Sequence, residues 1–471
     1  MKRVWLPLMM ILSALSCLTS CLKSDNDETV YYDDAGITSF TLGTLNRYVH
    51  TLSKNGADSI YKTTVTGSKY AFYIDQNARE IYNPDSLPYG TDASHIICTV
   101  LTKNSGVVAI KSMVSDSVRW YSSSDSIDFT QPREFIVYSN SNKAMTRYKV
   151  RVNVHQEEGN VFNWTQVGSS SLFANLKGMK GMAVGKEVLV FGTTGEETVV
   201  IGYGADGWTQ RSSALGAFSE DAWKNVVEKD GVLFMKSGTQ LLRRTADGEW
   251  EKTADVDLQQ LVASSSSSLY AISRAGVVVS SDDNGLTWEE EEMDADAALL
   301  PTQDISYVCT PVKTNTSLER LVLVGNRNET AYHDEKVAVV WSKIEDRERE
   351  NVVHSWSYNG ADELAKFPLP RLRGLTVVGY GDGMVAVGGS GLGDCSVNAF
   401  AHIYESLDGG LAWKTRSYLP LPSGLQCNDG IVAMMTDADN NLWLVCGGSG
   451  QVWRGRLNRL GWQENQTSFT K

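Results

Sequence analysis

The strongest constraint on the fold is an eight-residue pattern that occurs twice. Residues 281–288 and 406–413 both read S-x-D-x-G-x-x-W, and each copy follows an apolar run and precedes a polar, strand-like segment. Asp can fix a tight turn through backbone N–H groups, and Gly supplies a turn conformation that other residues adopt only at a cost. Trp then buries a large ring at the start of the next strand. The pattern therefore predicts two similar hairpins, and its residues are Ser281, Asp283, Gly285, Trp288, Ser406, Asp408, Gly410 and Trp413.

A longer repeat is marked by tryptophans through the last two-thirds of the chain. Seven of them lie 44, 42, 38, 68, 57 and 49 residues apart, at Trp164, Trp208, Trp250, Trp288, Trp356, Trp413 and Trp462. A four-stranded propeller blade takes roughly 40–50 residues. Residues 156–471 are therefore predicted to form a six-bladed β-propeller, with seven blades as the alternative. The strand left over at residues 162–167 is expected to close the ring beside the last blade, because closure removes open sheet edges.

The repeated eight-residue pattern resembles the Asp-box, or bacterial neuraminidase repeat, a hairpin found mainly in β-propellers. In that family the Asp-box is structural and usually lies away from the active site. The resemblance therefore implies a structural role for its eight residues and no catalytic role for Asp283 or Asp408.

Length and charge limit the classes of function. The chain has 471 residues, which is too many for one ordinary core, so two or more domains are expected. The formal net charge is −13, and no Lys/Arg-rich run occurs, so nucleic acid is not an expected partner.

The N-terminus has the features of a targeting segment. Lys2 and Arg3 precede an apolar stretch at residues 4–18 that is short for a transmembrane helix. Residues 18–21, Leu-Thr-Ser-Cys, resemble the lipobox of bacterial lipoproteins, which implies a signal peptide at 1–21 and lipidation of Cys21, with an ordinary secretory signal as the alternative. The acidic tether at 22–32 resembles the surface-export signal of Bacteroides-type lipoproteins. It implies a lipid-anchored, surface-exposed outer-membrane protein, although a simple solvated tether or an inward-facing location stays open.

Residues 33–155 are predicted to be an all-β domain of sandwich size, since several segments alternate apolar and polar residues. Residues 127–154 resemble the last strands of the immunoglobulin-like domains of Bacteroides surface lipoproteins. Four Asp-Ser-aliphatic triplets in this domain are similar to the O-glycosylation acceptor of exported Bacteroides proteins, whereas Asp-Ser is also an ordinary turn pair. The candidate acceptors are Ser59, Ser86, Ser117 and Ser126.

Most chemical motifs are absent from the sequence. The six His form no H-x-x-H or H-E-x-x-H pattern and the Cys form no C-x-x-C pair, so no metal site is predicted. No phosphate loop or G-x-S-x-G occurs, so no cofactor and no catalytic residue is predicted. The R-I-P motif of sialidases is missing as well. A disulfide between Cys395 and Cys427, or between Cys427 and Cys446, is left open for an exported protein.

Binding is the remaining function class. Propellers bind ligands mainly through the loops that precede their innermost strands, here near residues 216–223, 300–304, 369–374 and 423–429. Within these loops Trp223, Arg371, Arg373 and Gln426 are the candidates for stacking on, or hydrogen bonding to, a sugar or peptide. The alternative is inter-blade packing for Trp223 and surface charge for the two arginines.

The whole arrangement resembles uncharacterised Bacteroides-type exported propeller lipoproteins, many of which contain domains of unknown function. It predicts a non-catalytic binding or adhesion module for glycan or protein on the cell surface. A polysaccharide-processing enzyme and a structural partner in an outer-membrane complex are the alternatives.

Overall fold

The computed structural model describes residues 30–52, 58–346, 354–360 and 366–462. These residues form two compact units, one ending at Gln156 and the other comprising Glu157–Trp462. The predicted lipidation site Cys21 and residues 22–29 of the predicted tether lie outside the described residues. Within the described ranges, no helix is long and apolar enough to cross a membrane.

Short strands dominate the first unit. It also has two 3₁₀ turns, Gly67–Lys69 and Lys103–Ser105. The eleven strands of its described residues are β1 (Ile37–Leu42), β2 (Thr44–Leu52), β3 (Asp58–Thr66), β4 (Tyr73–Asp75), β5 (Glu80–Tyr82), β6 (Ile96–Thr102), β7 (Val107–Lys111), β8 (Val118–Trp120), β9 (Ser126–Ile127), β10 (Arg133–Tyr138) and β11 (Met145–Arg151).

Two sheets of this unit share one apolar core. The strand orders are β1-β6-β9 and β4-β5-β11-β10-β7-β8, and β2 pairs with β3 as a separate hairpin. The alternating sequence of β11 buries Tyr148 and Val150 and exposes Lys149 between them. Phe129 stacks on Phe135, with 6.1 Å between ring centroids, inside the core. The alternation of apolar and polar residues therefore determines which face of β11 packs against the core.

The second unit also consists of strands joined by turns. Its 3₁₀ turns are Ser171–Phe173, Ala222–Lys224, Ala297–Leu299 and Asn458–Gly461. The strands of its described residues are β12 (Phe162–Ser169), β13 (Gly178–Val184), β14 (Glu187–Thr193), β15 (Thr198–Gly204), β16 (Gly207–Arg211), β17 (Val226–Lys229), β18 (Val232–Ser237), β19 (Gln240–Arg244), β20 (Trp250–Asp255), β21 (Leu258–Ser264), β22 (Leu269–Ser273), β23 (Val278–Ser281), β24 (Glu289–Glu290), β25 (Gln303–Val312), β26 (Asn315–Asn326), β27 (Val339–Asp346), β28 (Ser357–Tyr358), β29 (Thr376–Tyr380), β30 (Gly383–Val387), β31 (Tyr404–Ser406), β32 (Lys414–Thr415), β33 (Val432–Thr436), β34 (Leu442–Cys446) and β35 (Gln451–Leu457).

These strands form six antiparallel four-stranded sheets within the described residues. Five sheets follow chain order, beginning with β13, β17, β21, β25 and β29, and the sixth has the order β12-β35-β34-β33. The innermost strands of the six sheets contact one another, and they are β13, β17, β21, β25, β29 and β33. Strand β33 contacts β13 and β29, and strand β21 contacts β17 and β25. Neighbouring sheets bury apolar residues between them, which explains why strands such as β14 are nearly continuous apolar runs.

The sixth sheet joins the start of this unit to its end. The strand predicted to be left over lies in β12, and it pairs antiparallel with β35, with Phe162 opposite Leu457 and Gln166 opposite Trp453. A strand from the beginning of the unit therefore completes the sheet built from its last three strands, and it covers an edge of β35 that would otherwise be open.

Candidate functional site

The first repeat turn, residues 281–288, is held together by its own side chains. Ser281 Oγ donates to Asp283 Oδ1 (2.7 Å) and accepts from Gly285 N (2.8 Å). Asp283 Oδ1 also accepts from the backbone N–H groups of Leu286 and Thr287, each at 2.9 Å. The Thr287 backbone bond, followed by the bonds from the Thr287 and Ser281 hydroxyls, holds the pKa of Asp283 well below its usual range. The carboxylate therefore acts as the acceptor that fixes the turn.

The second repeat turn, residues 406–413, has the same geometry. Ser406 Oγ donates to Asp408 Oδ1 and accepts from Gly410 N, both at 2.9 Å. Trp413 Nε1 donates to Gly410 O (3.0 Å), as Trp288 Nε1 does to Gly285 O (3.1 Å) in the first turn. Both turn glycines have φ of 92°, in the left-handed region that Gly adopts most easily. All of these contacts stay inside the hairpin.

Trp223 lies among packing residues. Its backbone N–H donates to Thr198 Oγ1 (3.0 Å), and its indole packs so closely on Gly178 that a Cβ there would lie 2.5 Å from the ring. The ring is half-buried in the apolar cluster that includes Phe191 and Trp250. This contact explains why Gly occupies position 178.

Arg371 is fully buried, which corrects the prediction that it can contact a ligand directly. Its guanidinium donates to the carbonyl oxygens of Arg327 (2.6 Å), Tyr332 and Glu335 (3.4 Å). Burial lowers the pKa of this guanidinium. The five N–H donors of Arg suit a site that has several backbone acceptors. Arg371 therefore fastens the loop at residues 327–335 to the segment that precedes β29.

The structure brings Arg373 to the loop that contains Gln426. Arg373 is exposed, and its guanidinium lies 3.6 Å from Glu329 Oε1 and 3.7 Å from Asp429 Oδ2. Asp429 also accepts from the backbone N–H and the hydroxyl of Ser390, both at 2.5 Å. Two of the four predicted ligand-binding residues, Arg373 and Gln426, therefore lie in neighbouring loops.

Gln426 lines a cavity of about 750 Å³, called the mouth pocket here. The side chains that carry its chemistry are those of Phe400, Leu421, Pro422, Gln426, Asn428 and Ser449. Neither side-chain amide, of Gln426 or of Asn428, has a hydrogen-bond partner in the described part of the chain. Phe400 has φ of 50°, and an aromatic residue rarely adopts this left-handed conformation. The two glycine-rich segments at 388–391 and 447–450 flank the pocket, since Gly388 O accepts from Phe400 N and Ser449 Oγ donates to Gln426 O.

A second cavity, of about 470 Å³, lies among the innermost strands and is called the channel cavity here. All six innermost strands line it, mainly with residues toward their C-terminal ends. Tyr307 OH accepts from Glu228 N and Ser264 Oγ, both at 2.9 Å. Lys180 Nζ lies 6.0 Å from the centroid of the Tyr307 ring and is buried without a hydrogen-bond partner among the described residues. Burial lowers the pKa of Lys180 to about 8. No sequence motif marks this lysine or Phe400.

The remaining predicted sites divide into exposed and buried positions. Ser117 and Ser126 are exposed and Ser59 is half-buried, whereas Ser86 is only 5% exposed. Burial of Ser86 corrects its assignment as an acceptor, because an attached glycan would not fit inside the folded domain.

The five described cysteines, Cys98, Cys309, Cys395, Cys427 and Cys446, are free thiols. Neither disulfide left open by the sequence is therefore present. A hydrogen bond with Cys427, together with burial, raises the pKa of Cys446. In the described ranges, no group of three or more His, Cys, Asp or Glu side chains is placed to hold a metal ion.

Two family models match the chain. Residues 158–465 match the DUF6242 beta propeller domain, and residues 40–152 match the N-terminal domain of DUF6242, a domain of unknown function. The chain belongs to the DUF6242 family. The six-sheet unit of this DUF6242 protein is therefore a β-propeller, a fold that is suited to binding and recognition. No curated protein matches the chain.

Several solved structures are similar to this DUF6242 chain at low identity. YCF48 bound to D1 peptide is 14% identical, with a TM-score of 0.31 and coverage of 64% of this chain and 84% of YCF48. YCF48 from Cyanidioschyzon merolae is also 14% identical, with a TM-score of 0.33 and coverage of 62% and 98%. The Trichoderma reesei AA12 carbohydrate-active enzyme, in its iodide structure, is 11% identical, with a TM-score of 0.38 and coverage of 63% and 96%.

Proposed function

We propose that this protein is an exported, lipid-anchored, non-catalytic recognition module whose propeller binds a neutral glycan at the mouth pocket. The observation that carries the proposal is a cavity lined both by Phe400, which has a left-handed backbone conformation, and by the exposed side-chain amides of Gln426 and Asn428. Residues held in sparsely populated backbone conformations cluster at ligand-binding and active sites.

The lining of the mouth pocket favours a sugar over a charged ligand. Its ten lining residues include no Asp, Glu, Lys, Arg or His. An aromatic ring can cover the apolar face of a sugar ring, while the amides of Gln426 and Asn428 can hydrogen bond to its hydroxyl groups. Ligand sites commonly combine apolar walls with a few polar groups that fix orientation.

The same lining argues against hydrolysis at this site. Most glycoside hydrolases use a pair of carboxylates that flank the bond to be cleaved. Asp429 lies next to the pocket residue Asn428, but its carboxylate is engaged by Ser390. The mouth pocket therefore supports binding rather than polysaccharide processing.

The rest of the proposal concerns the supporting architecture. We infer a six-bladed propeller from the six four-stranded sheets and an immunoglobulin-like spacer from the two sheets that share a core. The lipobox-like residues ending at Cys21 support a lipid anchor, and the acidic residues after it support exposure at the outer-membrane surface.

A glycan array tests the proposal on the chain without its predicted leader, residues 22–471. We expect a reproducible neutral-glycan signal that is lost when Gln426 and Asn428 are both changed to Ala. Gln210→Ala is the matched control, because Gln210 is an exposed amide on the outer strand β16. Phe400→Gly should also abolish the signal while removing the backbone strain. A signal that survives all pocket variants, or binding to peptides instead, would show that the assignment is wrong.

A further inference from the structure

The channel cavity contains a buried positive charge that no described residue pairs with by a hydrogen bond. Lys180 projects from β13, and its Nζ has no hydrogen-bond partner among the described residues. The nearby Tyr307 ring, 6.0 Å away at its centroid, gives only a cation–π contact. Buried charged groups in proteins are normally paired and hydrogen bonded, because leaving water is unfavourable for an ion.

The acidic residues around the cavity do not supply the missing partner. Glu319 is buried and accepts from the Ser266 backbone N–H (3.0 Å) and hydroxyl (2.8 Å). Glu228 accepts from the N–H of Gly231. None of the carboxylates that line the cavity hydrogen bonds to Lys180 Nζ. The lysine amine therefore remains available to a ligand.

We propose that the channel cavity is a second binding site, which takes the carboxylate of a small ligand and pairs it with Lys180. Apolar contact would come from Tyr307, Met434 and Met435, and hydroxyl groups would come from Ser264 and Ser266. The volume of about 470 Å³ is sufficient for an acidic monosaccharide or a similar small acid. A singly charged anion fits better than phosphate, because acidic side chains also line the cavity.

This site is separate from the mouth pocket and does not depend on it. Gln426 and Asn428 precede β33, whereas Thr436 at the end of β33 lines the channel cavity. Asp230 is exposed and also lines the cavity, which therefore reaches solvent near the ends of the innermost strands. A free small acid and the acidic terminus of a polymer are both able to present the same carboxylate there.

Protonation of Lys180 determines how this site responds to pH. Burial lowers the pKa of the amine to about 8, so the cation is present at neutral pH and lost above it. Burial raises the pKa of Tyr307, which keeps the phenol protonated over the same range. Other titratable groups lining the cavity are Glu228, Asp230, Cys309 and Glu319. As long as the ligand carboxylate is ionised, its affinity should change little below pH 8 and should fall about tenfold for each pH unit above it.

Calorimetric titration with D-glucuronate tests the site in residues 22–471 carrying Gln426→Ala and Asn428→Ala, which remove the mouth pocket, and D-glucose is the neutral matched ligand. We expect glucuronate to bind and glucose not to bind in the channel. Lys180→Met should weaken glucuronate binding by roughly 30-fold or more, as expected when one member of a buried charge pair is removed. Lys236→Met is the control, because Lys236 is also buried but does not line the cavity.

Additional ligands identify the source of the carboxylate, and a pH series on unmutated protein tests the site even if the variant does not fold. Acetate represents a free small acid, trigalacturonate represents an acidic polymer end, and phosphate represents a doubly charged anion. Stronger binding of trigalacturonate than of glucuronate would identify a polymer end. Equal binding of glucuronate and glucose, or unchanged binding in Lys180→Met, would overturn the proposal. If that variant does not fold, unmutated protein whose glucuronate affinity stays constant from pH 7 to 10 would overturn it equally.

Discussion

The propeller places two buried lysines in opposite electrostatic surroundings. Lys343 Nζ pairs with Glu291, with the two side chains only 10% and 11% exposed, and lies 5.2 Å from the centroid of the Tyr270 ring. Lys180 Nζ lies at a similar distance, 6.0 Å, from the centroid of the Tyr307 ring, but no carboxylate of the described residues hydrogen bonds to it. Each cation faces a tyrosine, and within the described ranges only Lys343 has a counter-ion.

This difference distinguishes a buried charge that stabilises the fold, at Lys343, from a buried charge that can bind a ligand, at Lys180. The Lys343 pair is complete within the folded chain, and the two repeat turns are complete in the same sense because each Asp has its hydrogen-bond donors inside the hairpin. Lys180 is incomplete and lines a cavity. Charged side chains whose partners lie within the chain, such as Lys343, stabilise the sheets and turns. Lys180 has no such partner among the described residues, so it marks a place where a ligand can add stabilising contacts.

The largest effect is expected for Lys343→Met. This change leaves Glu291 buried without its partner, and the free energy of unfolding should fall by about 3–5 kcal/mol. Urea denaturation measures it. The control is Lys313→Met, since the Lys313–Asp382 pair is more than 70% exposed on both sides and should contribute about 1 kcal/mol or less. If the two variants lose equal stability, the Lys343 pair is not a buried structural pair.

An intermediate effect is expected for Ser406→Ala. The Ser406 hydroxyl is fully buried and accepts from Gly410 N, so its removal leaves that N–H unpaired and lowers the free energy of unfolding by about 1–3 kcal/mol. Chemical denaturation compares this variant with Ser212→Ala, which changes an exposed serine. No difference between the two would mean that the turn does not depend on its internal bonds.

Lys180→Met should behave in the opposite way from Lys343→Met. Because it removes an unpaired buried charge, we expect the free energy of unfolding at pH 7 to stay unchanged or to rise by up to about 2 kcal/mol. The same denaturation experiment measures it. A loss comparable to that of Lys343→Met would reveal a protein partner for the Lys180 amine and would remove the distinction between the two sites.

The last prediction concerns the pH dependence of the stability difference between unmutated protein and Lys180→Met. The pKa of Lys180 is about 8 in the folded protein, against an ordinary 10.5. Below pH 8 the amine is protonated in both the folded and the unfolded protein, so burial of the charged amine lowers the stability of the folded protein by its full amount. Between pH 8 and 10.5 the unfolded state binds more protons, so unmutated protein gains stability relative to Lys180→Met. The stability of unmutated protein relative to Lys180→Met should therefore be higher at pH 10 than at pH 7, and a difference that does not change with pH would contradict the assigned burial.

The sequence predicts local features best. Ser281 and Asp283 contact groups only two to four positions away, so the spacing within the repeat already contains the geometry of the turn. The closing strand at 162–167 was also predictable, because a strand without a blade of its own must cover an edge. The interval from Trp288 to Trp356 is long because it includes two long strands, β25 with ten residues and β26 with twelve.

Features that depend on distant contacts could not be predicted. Arg371 is buried by carbonyl groups 39 and 44 positions away, so its sequence neighbours did not distinguish it from exposed Arg373. Lys180 lies in an apolar strand, and its lack of a partner becomes visible only when all six innermost strands are in place. The repeated glycine-rich segments were a usable signal for the mouth pocket, but the conformation of Phe400 beside them was not.

The most direct test is a measurement of the Lys180 pKa in the folded chain by NMR, with ¹³C-labelled lysine and with Lys180→Met to assign the resonance. The unpaired environment predicts a pKa near 8 without ligand. Addition of glucuronate should raise it, because an ion pair stabilises the protonated amine. A pKa near 10.5 that glucuronate does not change would contradict both the unpaired charge and the channel site.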